Sequence, residues 1–286
     1  MYIPVQVGSE GKADLGYQKD NEGENISEKN PYFCELTGLY WAWKNLNADY
    51  VGLVHYRRYF SLNKKIPKDE NEKFKILLTE EQASEKLEKV DVILPKLRKY
   101  YIENLYDHYK HTMYIEPLDE TRRIIKEKYP EYLDEFDKLH NRTSAHMFNM
   151  FIMKKDVLNE YCTWLFDILF ELEKRTDPSK YDSFHARFYG RVSESGDSGS
   201  PDGERTEGTL YPSFKTKAEG ENDALHMCAS VPKSDENRRL CSGGRDSRAD
   251  GSEMASERGV LDFEDPVSGR TKKGSGVAAV FKTDER

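Results

Sequence analysis

The stretch that decides the fold is residues 50–60, YVGLVHYRRYF, in which β-branched and aromatic residues lead into two arginines. Its first part, residues 50–56, predicts a buried strand. A second apolar run, residues 90–95, predicts another strand. Between them, residues 79–89 predict a short helix, because a threonine stands at the N-cap position and two glutamates follow in the first turn. This alternation of strand and helix is typical of an α/β domain.

The other elements follow from the same periodicities and turn signals. An Asn-Pro pair predicts a helix start, and a wide apolar stripe predicts an amphipathic helix. In chain order we predict a strand at residues 3–7, a long loop at 8–30, a helix from Asn30 to about residue 46, a loop at 61–75, a polar helical region at 100–139, a strand at 145–153 and a helix at 156–174.

The composition of the 286-residue chain changes near residue 195. All three Trp and 17 of the 18 Tyr precede this point, whereas 12 of the 19 Gly follow it. Leu, Ile, Val and Phe make up only 12 of the last 92 residues. Such a sequence buries too little apolar surface to offset the entropy of ordering it. We therefore predict one domain at residues 1–194 and a disordered tail at residues 195–286.

The bulk properties exclude several classes of protein. The net charge of −8 arises from an acidic excess in both parts of the chain, which argues against nucleic acid as a partner. No apolar run reaches the length of a transmembrane helix, and the first residues do not form a secretory signal. The four Cys include no CxxC pair, which favours a reducing compartment. We expect a cytoplasmic protein.

Four segments resemble a known family: residues 30–45 (NPYFCELTGLYWAWKN), 55–60 (HYRRYF), 146–153 (HMFNMFIM) and 190–194 (GRVSE). They resemble the DUF4422 family of bacterial capsular and exopolysaccharide glycosyltransferases, over nearly all of residues 1–194. The resemblance implies a GT-A-like, Rossmann-like fold. It implies transfer of a hexosyl unit, galactosyl or galactofuranosyl, from a UDP-sugar to a growing, lipid-linked glycan at the inner face of the membrane.

The sequence departs from the family pattern at both ends. Family members carry a further strand before the one at residues 3–7, and they continue after GRVSE with an apolar helix. We expect that Met1 is an internal start and that the tail is an out-of-frame product, which resequencing the locus tests.

Two alternatives to an active transferase stay open. One is an inactive truncated fragment, and the other is a glycan- or partner-binding module that uses the aromatic surface of residues 100–132.

A transferase must neutralise the leaving diphosphate, and Arg57 and Arg58 are our candidates for this role. They follow a buried strand, and in open α/β sheets ligands lie beyond the carboxyl ends of the strands. Arginine also offers paired donors to phosphate oxygens. Strand alternation places His55 and Arg57 on one face and Tyr56 and Arg58 on the other. The alternative is a solvated arginine pair that ends the strand.

A divalent ion at the donor diphosphate stays an open alternative, but the sequence predicts no site for it. Residues 1–194 contain no Asp-x-Asp motif, the usual ligand of the divalent ion in GT-A enzymes. His108 and His111 lie three residues apart on a predicted helix, but the sequence places no third ligand beside them.

Three residues are candidates for contact with the sugars in the interior of the domain. His55 ends the buried strand and either carries a proton or is a satisfied buried histidine. Glu35, placed inside the first helix, either faces the sugar or pairs with a cation. Asn149 is an amide in an apolar strand that needs a partner, either a sugar hydroxyl or the backbone.

The remaining candidates lie at the end of the domain or in the matched motifs. Asp182 is a candidate base beside His185, Arg187 and Arg191, and the alternative is a polar surface segment. We assign His185, Arg187 and Arg191 to acceptor or phosphate contacts. Tyr56 and His146, which lie in the matched motifs, complete the candidate sugar-binding residues.

Overall fold

A computed structural model describes residues 2–55, 58–63 and 67–196, together with the short segments 226–228, 262–264, 271–273 and 277–283. Its strands are β1 Tyr2–Gln6, β2 Gln18–Lys19, β3 Tyr50–His55, β4 Tyr59–Ser61, β5 Val92–Ile93, β6 Arg98–Lys99, β7 Ser144–Ala145, β8 Phe151–Lys154, β9 His226–Cys228, β10 Asp262–Glu264, β11 Thr271–Lys273 and β12 Val277–Thr283. Its α-helices are α1 Asn30–Phe33, α2 Leu36–Asn45, α3 Glu70–Lys75, α4 Glu80–Leu87, α5 Leu105–Thr112, α6 Glu116–Lys128, α7 Leu133–His140, α8 Lys155–Arg175 and α9 Phe188–Gly196.

A six-stranded mixed sheet forms the centre of the domain, in the order β2-β1-β12-β3-β8-β5. The pair β1–β2 is parallel, and the other neighbouring pairs are antiparallel. Gly52 of β3 is needed where the sheet closes on β8, because a Cβ there would lie 2.4 Å from the carbonyl oxygen of Phe151. With helices between its strands, the fold is α/β, as the sequence predicts.

Apolar side chains cover both faces of the sheet, which explains the unbroken apolar run of β3. On one face, α2 and α8 pack together, and the rings of Trp43 and Phe166 stack at 5.9 Å. On the other face, Val54 and Ile152 belong to a smaller cluster with Leu87 of α4. The end of β3 is therefore held from both sides.

One strand of the sheet comes from the glycine-rich C-terminal region. β12 lies between β1 and β3 and is antiparallel to both, with Val280 opposite Ile3 on one side and Leu53 on the other. The composition of residues 195–286 did not predict this strand. Most of residues 195–286 lie outside the described residues. For those residues, the disordered tail stays a prediction.

The predicted elements agree with the structure where the local signals are strong. β3 is confirmed, α4 begins at a capping box formed by Thr79 and Gln82, and α8 covers the predicted amphipathic stretch. Other boundaries were wrong. The predicted first helix is interrupted at Cys34 and forms α1 and α2, and the loop at residues 61–75 contains α3.

The long loop after β1 is organised by a buried carboxylate, that of Asp20. It accepts hydrogen bonds from the backbone N–H groups of Gly8 at 2.7 Å and Ser9 at 3.0 Å. It also accepts hydroxyl hydrogen bonds from Ser9, from Ser27 at 2.5 Å and from Thr37 at 2.7 Å. Because Thr37 lies on α2, this network ties the loop to the helix that carries the first matched motif.

Among the described residues, the structure contains no helix that is both long and apolar enough to cross a membrane.

Candidate functional site

Four segments that are distant in sequence meet at one end of β3. They are the break between α1 and α2, the turn that follows β3, the turn that precedes β8, and the start of α9. All four lie in the motifs that carry the family resemblance. The contacts between them define a candidate active site.

Glu35 and Asn149 form the centre of this site. The Asn149 amide donates a hydrogen bond from Nδ2 to Oε1 of Glu35 at 2.7 Å and another to the carbonyl of Gly190 at 3.2 Å. The hydroxyl of Ser193 donates to the amide oxygen at 3.1 Å. Asn149 is 1% exposed, so its partners come from the protein and its contact is with Glu35 rather than with solvent.

The position of Glu35 differs from the prediction. It does not lie inside a helix but is the N-cap residue of α2, directly after the break at Cys34. Its side chain is half-buried, and burial raises the pKa of its carboxyl group. The hydrogen bond from Asn149 and the charges of Arg191 and Arg187 act in the opposite direction. A raised pKa makes a carboxylate a stronger base than an ordinary glutamate, which suits it to accept a proton.

Strained backbone is concentrated at this site. Among the described residues, the non-glycine residues with positive φ are Cys34 at 53°, Phe148 at 83° and Asn149 at 49°. Such conformations cost about 1–3 kcal/mol each and persist only where the surrounding structure imposes them. They place Glu35 and the Asn149 amide opposite each other, which is the kind of arrangement that functional sites maintain.

Arg58 lies at the candidate site, but its position does not follow from the predicted alternation. The chain turns after β3, and the N–H of Arg58 donates to the carbonyl of His55 at 2.9 Å. This turn brings His55 and Arg58 together, with 3.4 Å between Nδ1 and Nη1, although strand alternation assigns them to opposite faces. The guanidinium of Arg58 also lies 4.0 Å from the ring centroid of Phe148.

Glu194 is a second half-buried carboxylate at the site, and the sequence analysis did not assign it a role. Burial raises its pKa, while Arg191 lowers it and Glu35 raises it further. Its Oε2 lies 3.1 Å from Nη1 of Arg191, one turn earlier on α9, and Arg58 also lowers its pKa. The spacing Arg-x-x-Glu at 191–194 was the available signal, since it places both side chains on one face of a helix.

Three guanidinium groups therefore act on two carboxylates. Arg191 lowers the pKa of both Glu35 and Glu194, Arg187 that of Glu35, and Arg58 that of Glu194. Arg187 and Arg191 are exposed on the solvent side. Three arginines thus stand near two carboxylates here, and arginine offers paired hydrogen-bond donors to anionic groups.

Asp182 and His185 lie beside the site, but their arrangement is structural. The Asp182 carboxylate accepts hydrogen bonds from the N–H groups of Phe184 at 2.8 Å and His185 at 3.2 Å. It also lies 2.5 Å from Nδ1 of His185. These contacts, the one with the His185 ring first, lower the pKa of Asp182. A lowered pKa makes it a weaker base than Glu35, and its role as a base stays a prediction.

The other predicted residues have separate outcomes. Tyr56 and Arg57 lie outside the described residues. His146 donates from Nδ1 to the carbonyl of Pro95, and burial lowers its pKa, while this hydrogen bond acts in the opposite direction. The direct contact of His146 with a sugar stays a prediction.

The paired histidines of α5 share one carboxylate partner. Nδ1 of His108 and Nδ1 of His111 lie 2.8 Å and 2.6 Å from the carboxylate of Glu103. Within the part of the chain that is described, no group of three or more His, Cys, Asp or Glu side chains is placed to hold a metal ion.

The fold and the site define an α/β protein in which arginines and half-buried carboxylates meet beyond the end of a central strand. Residues 1–195 match the family described as "Domain of unknown function (DUF4422)". The chain belongs to this family.

Among solved structures, the chain is similar to the apo structure of WbbM, described as a bifunctional glycosyltransferase. The sequence identity is 34% and the TM-score is 0.62. The match covers 67% of this chain and 37% of the WbbM chain, so it spans well under half of that protein. No curated protein matches the chain.

Proposed function

We propose that the chain is a GT-A-like glycosyltransferase that moves a hexosyl unit from a nucleotide-sugar donor to a hydroxyl group of a growing glycan. The observation that carries the proposal is the half-buried Glu35 carboxylate, which Asn149 holds at 2.7 Å in a site with a surplus of arginines. The similarity to WbbM supports this class of reaction. We further propose a UDP-galactose or UDP-galactofuranose donor and a lipid-linked acceptor of the capsular or exopolysaccharide type.

The arginines bind the donor diphosphate in this proposal. Arg58 stands directly after the central strand, where ligands of open α/β sheets lie. Its contact with the Phe148 ring restrains the guanidinium group. Arg187 and Arg191 approach from α9 and the turn before it. Together they stabilise the charge that develops on the diphosphate as the bond to the sugar breaks.

Glu35 is the base in the proposed reaction. It takes the proton from the acceptor hydroxyl while that oxygen forms a bond to the anomeric carbon of the sugar. The bond from that carbon to the diphosphate breaks, and the nucleoside diphosphate leaves with the electron pair. Asn149 is a positioning residue, because its amide holds the carboxylate and is itself enclosed by protein.

Separate assays of binding and turnover test this function in the full chain. Calorimetry with UDP measures the donor site, with and without Mg²⁺ and with a chelator, and release of UDP from UDP-galactose measures turnover. We expect Arg58→Ala to weaken UDP binding by about 1.5–3 kcal/mol, the usual value for a charged hydrogen bond. Arg123→Ala is the matched control, since this arginine is 66% exposed and pairs with Glu120 on α6.

The variant Glu35→Gln separates binding of the donor from proton transfer to the base. It keeps the shape and the hydrogen bond from Asn149 but cannot accept a proton, so we expect unchanged UDP affinity and loss of turnover. Binding of UDP without turnover in the native chain supports an inactive fragment. A folded chain that binds none of the nucleotides contradicts the proposal.

A further inference from the structure

An exposed strip of aromatic rings leads up to the candidate site. The aromatic strip consists of Tyr114, Tyr181, Phe184 and His185. The ring of Tyr114 lies 5.0 Å from that of Tyr181 and 4.9 Å from that of His185, whose ring is 5.2 Å from Phe184. Tyr114 is 49% exposed and Phe184 is 41% exposed. Large aromatic side chains that stay exposed in a contiguous group mark an interaction surface.

The strip is held rigidly from two directions. Tyr114 lies between α5 and α6, and the other three rings belong to the turn before α9. Asp182 fixes that turn through the N–H groups of Phe184 and His185 and through the His185 ring. The ring of Tyr181 also packs against buried Phe188, at 5.6 Å. A surface held in this way loses little conformational freedom when a ligand binds.

Arg191 connects the strip with the site. Its guanidinium lies 5.9 Å from the ring centroid of Phe184, and its Nη1 lies 3.1 Å from Glu194. The same region contains the hydroxyl of Tyr109, which is buried and has no hydrogen-bond partner among the described residues. The charges of Arg191 and Glu194 act on this phenol. Because the Tyr109 hydroxyl is enclosed by protein, it is not part of the strip, and Arg191 is the contact between Phe184 and Glu194.

We infer that the aromatic strip binds the acceptor glycan and directs its terminal sugar towards Glu35. A sugar ring presents C–H groups to an aromatic face and hydroxyl groups at its edge, and here the Asp182 carboxylate stands beside the His185 ring and the Arg191 guanidinium beside the Phe184 ring. The succession of neighbouring rings fits several sugar units. A protein partner needs about 800 Å² per side, more than four partly exposed rings provide. The inference rests on the proposed function and extends it to the acceptor.

Binding of oligosaccharides of increasing length to the full chain tests this inference. The probes are β-linked galacto-oligosaccharides of one, two and four units, and saturation-transfer NMR and calorimetry measure their affinity. We expect the tetrasaccharide to bind at least about tenfold more tightly than the monosaccharide. Tyr114→Ala and Phe184→Ala should remove this gain, and Tyr114→Ala, which touches none of the three arginines, should leave UDP affinity unchanged.

Two further variants separate stacking from a structural role. Tyr114→Leu keeps apolar bulk without a ring face, so it should behave like Tyr114→Ala if the ring stacks on a sugar. Tyr101→Ala is the matched control, because Tyr101 is 91% exposed and lies outside the strip. Equal affinity for all oligosaccharide lengths, or unchanged tetrasaccharide binding in Tyr114→Ala and Phe184→Ala, overturns the inference. If the chain binds the tetrasaccharide through the aromatic strip but does not bind UDP, the proposed sugar transfer is overturned, whereas the glycan-binding surface is supported.

Discussion

The Nδ2 atom of Asn149 lies 2.7 Å from Oε1 of Glu35, although the two residues are 114 positions apart in the chain. The carboxylate stands at the break between two helices, and the amide stands in the turn before a central strand. The same Nδ2 donates a second hydrogen bond to the carbonyl of Gly190, and the Ser193 hydroxyl donates one to the amide oxygen. The position of the proposed base therefore depends on three separate segments.

Removal of this amide should change the pH dependence of turnover. A donor to the carboxylate favours its charged form, so the hydrogen bond from Asn149 lowers the pKa of Glu35. Asn149→Gly deletes the donor while glycine still tolerates the φ of 49°. The pKa of Glu35 should then rise, and the acidic limb of kcat/KM should move to higher pH. A pH–rate profile measures the shift.

Ser193→Ala is the control for this profile, because Ser193 contacts the amide oxygen rather than Glu35. We expect it to move the acidic limb less than Asn149→Gly does. An acidic limb that stays in place in Asn149→Gly would show that Glu35 is not the group that titrates in the reaction.

Glu35 should also lower the stability of the fold at neutral pH. Burial raises its pKa above the ordinary value of 4.5, so ionisation costs more in the folded chain than in the unfolded chain. Between the ordinary pKa and the raised pKa, the folded chain holds the proton of Glu35 more tightly than the unfolded chain does. The free energy of unfolding therefore falls as the pH rises through this range. Glu35→Gln should have a higher Tm than the native chain at about pH 8, and the difference should vanish near pH 4.

The control for the stability measurement is Glu85→Gln on α4, whose side chain is 74% exposed. Its Tm should follow that of the native chain at both pH values. If Glu35→Gln is less stable than the native chain at about pH 8, the ionised carboxylate is better solvated or better paired than the structure indicates.

The elements that the sequence predicts are those stabilised by neighbours in the chain. The cap of α4 lies within one helical turn, and the apolar stripe of α8 follows the helical period. The run at residues 50–56 predicts β3 because a strand buried on both faces is apolar throughout. Local rules also placed Arg58 at the end of that strand.

The site itself depends on contacts that no local pattern contains. Positive φ is usual for glycine, so nothing at Cys34 predicts the break that makes Glu35 an N-cap residue. Gly190 packs against Cys34 from a segment more than 150 positions later. The chain also turns after β3, so His55 and Arg58 lie together, whereas the alternation of a continuous strand would place them on opposite faces. These features follow from tertiary packing, which overrides the local preference.

The loop after β1 should depend strongly on Asp20. This carboxylate is fully buried and accepts hydrogen bonds from both backbone N–H groups and hydroxyls. Asp20→Asn replaces one acceptor oxygen by a donor, which then faces donors. Because each unsatisfied buried group costs about 1–3 kcal/mol, we expect a loss of about 2–5 kcal/mol in the free energy of unfolding.

Urea unfolding measures this loss. Asp14→Asn is the matched control, because the Asp14 side chain is 59% exposed and pairs with Lys19 at the surface. Its effect should stay below about 1 kcal/mol, the usual range for an exposed ion pair. Equal stability of Asp20→Asn and the native chain would contradict the buried network.

The strand β12 should be necessary for the attachment of β1 to the domain. Among the described strands, β1 pairs only with β2 and β12, and β12 pairs with β3 on its other side. Val280→Pro removes a backbone donor and introduces a ring in the middle of this strand. We expect a loss of about 3 kcal/mol or more in the free energy of unfolding. Hydrogen exchange should show lost protection at the amides of β1 and β3.

Thr283→Pro is the control for this prediction, because Thr283 pairs with Tyr50 at the end of the strand. Thr283→Pro should lower the free energy of unfolding less than Val280→Pro does and should leave the amides of β1 protected.

The register also places Ala278 opposite His55, so loss of β12 should disturb the end of β3 that presents Arg58. We therefore expect Val280→Pro to weaken UDP binding as well. If Val280→Pro keeps native stability and native protection at β1, then β12 does not occupy the space between β1 and β3 in solution, and the two strands are held together in another way.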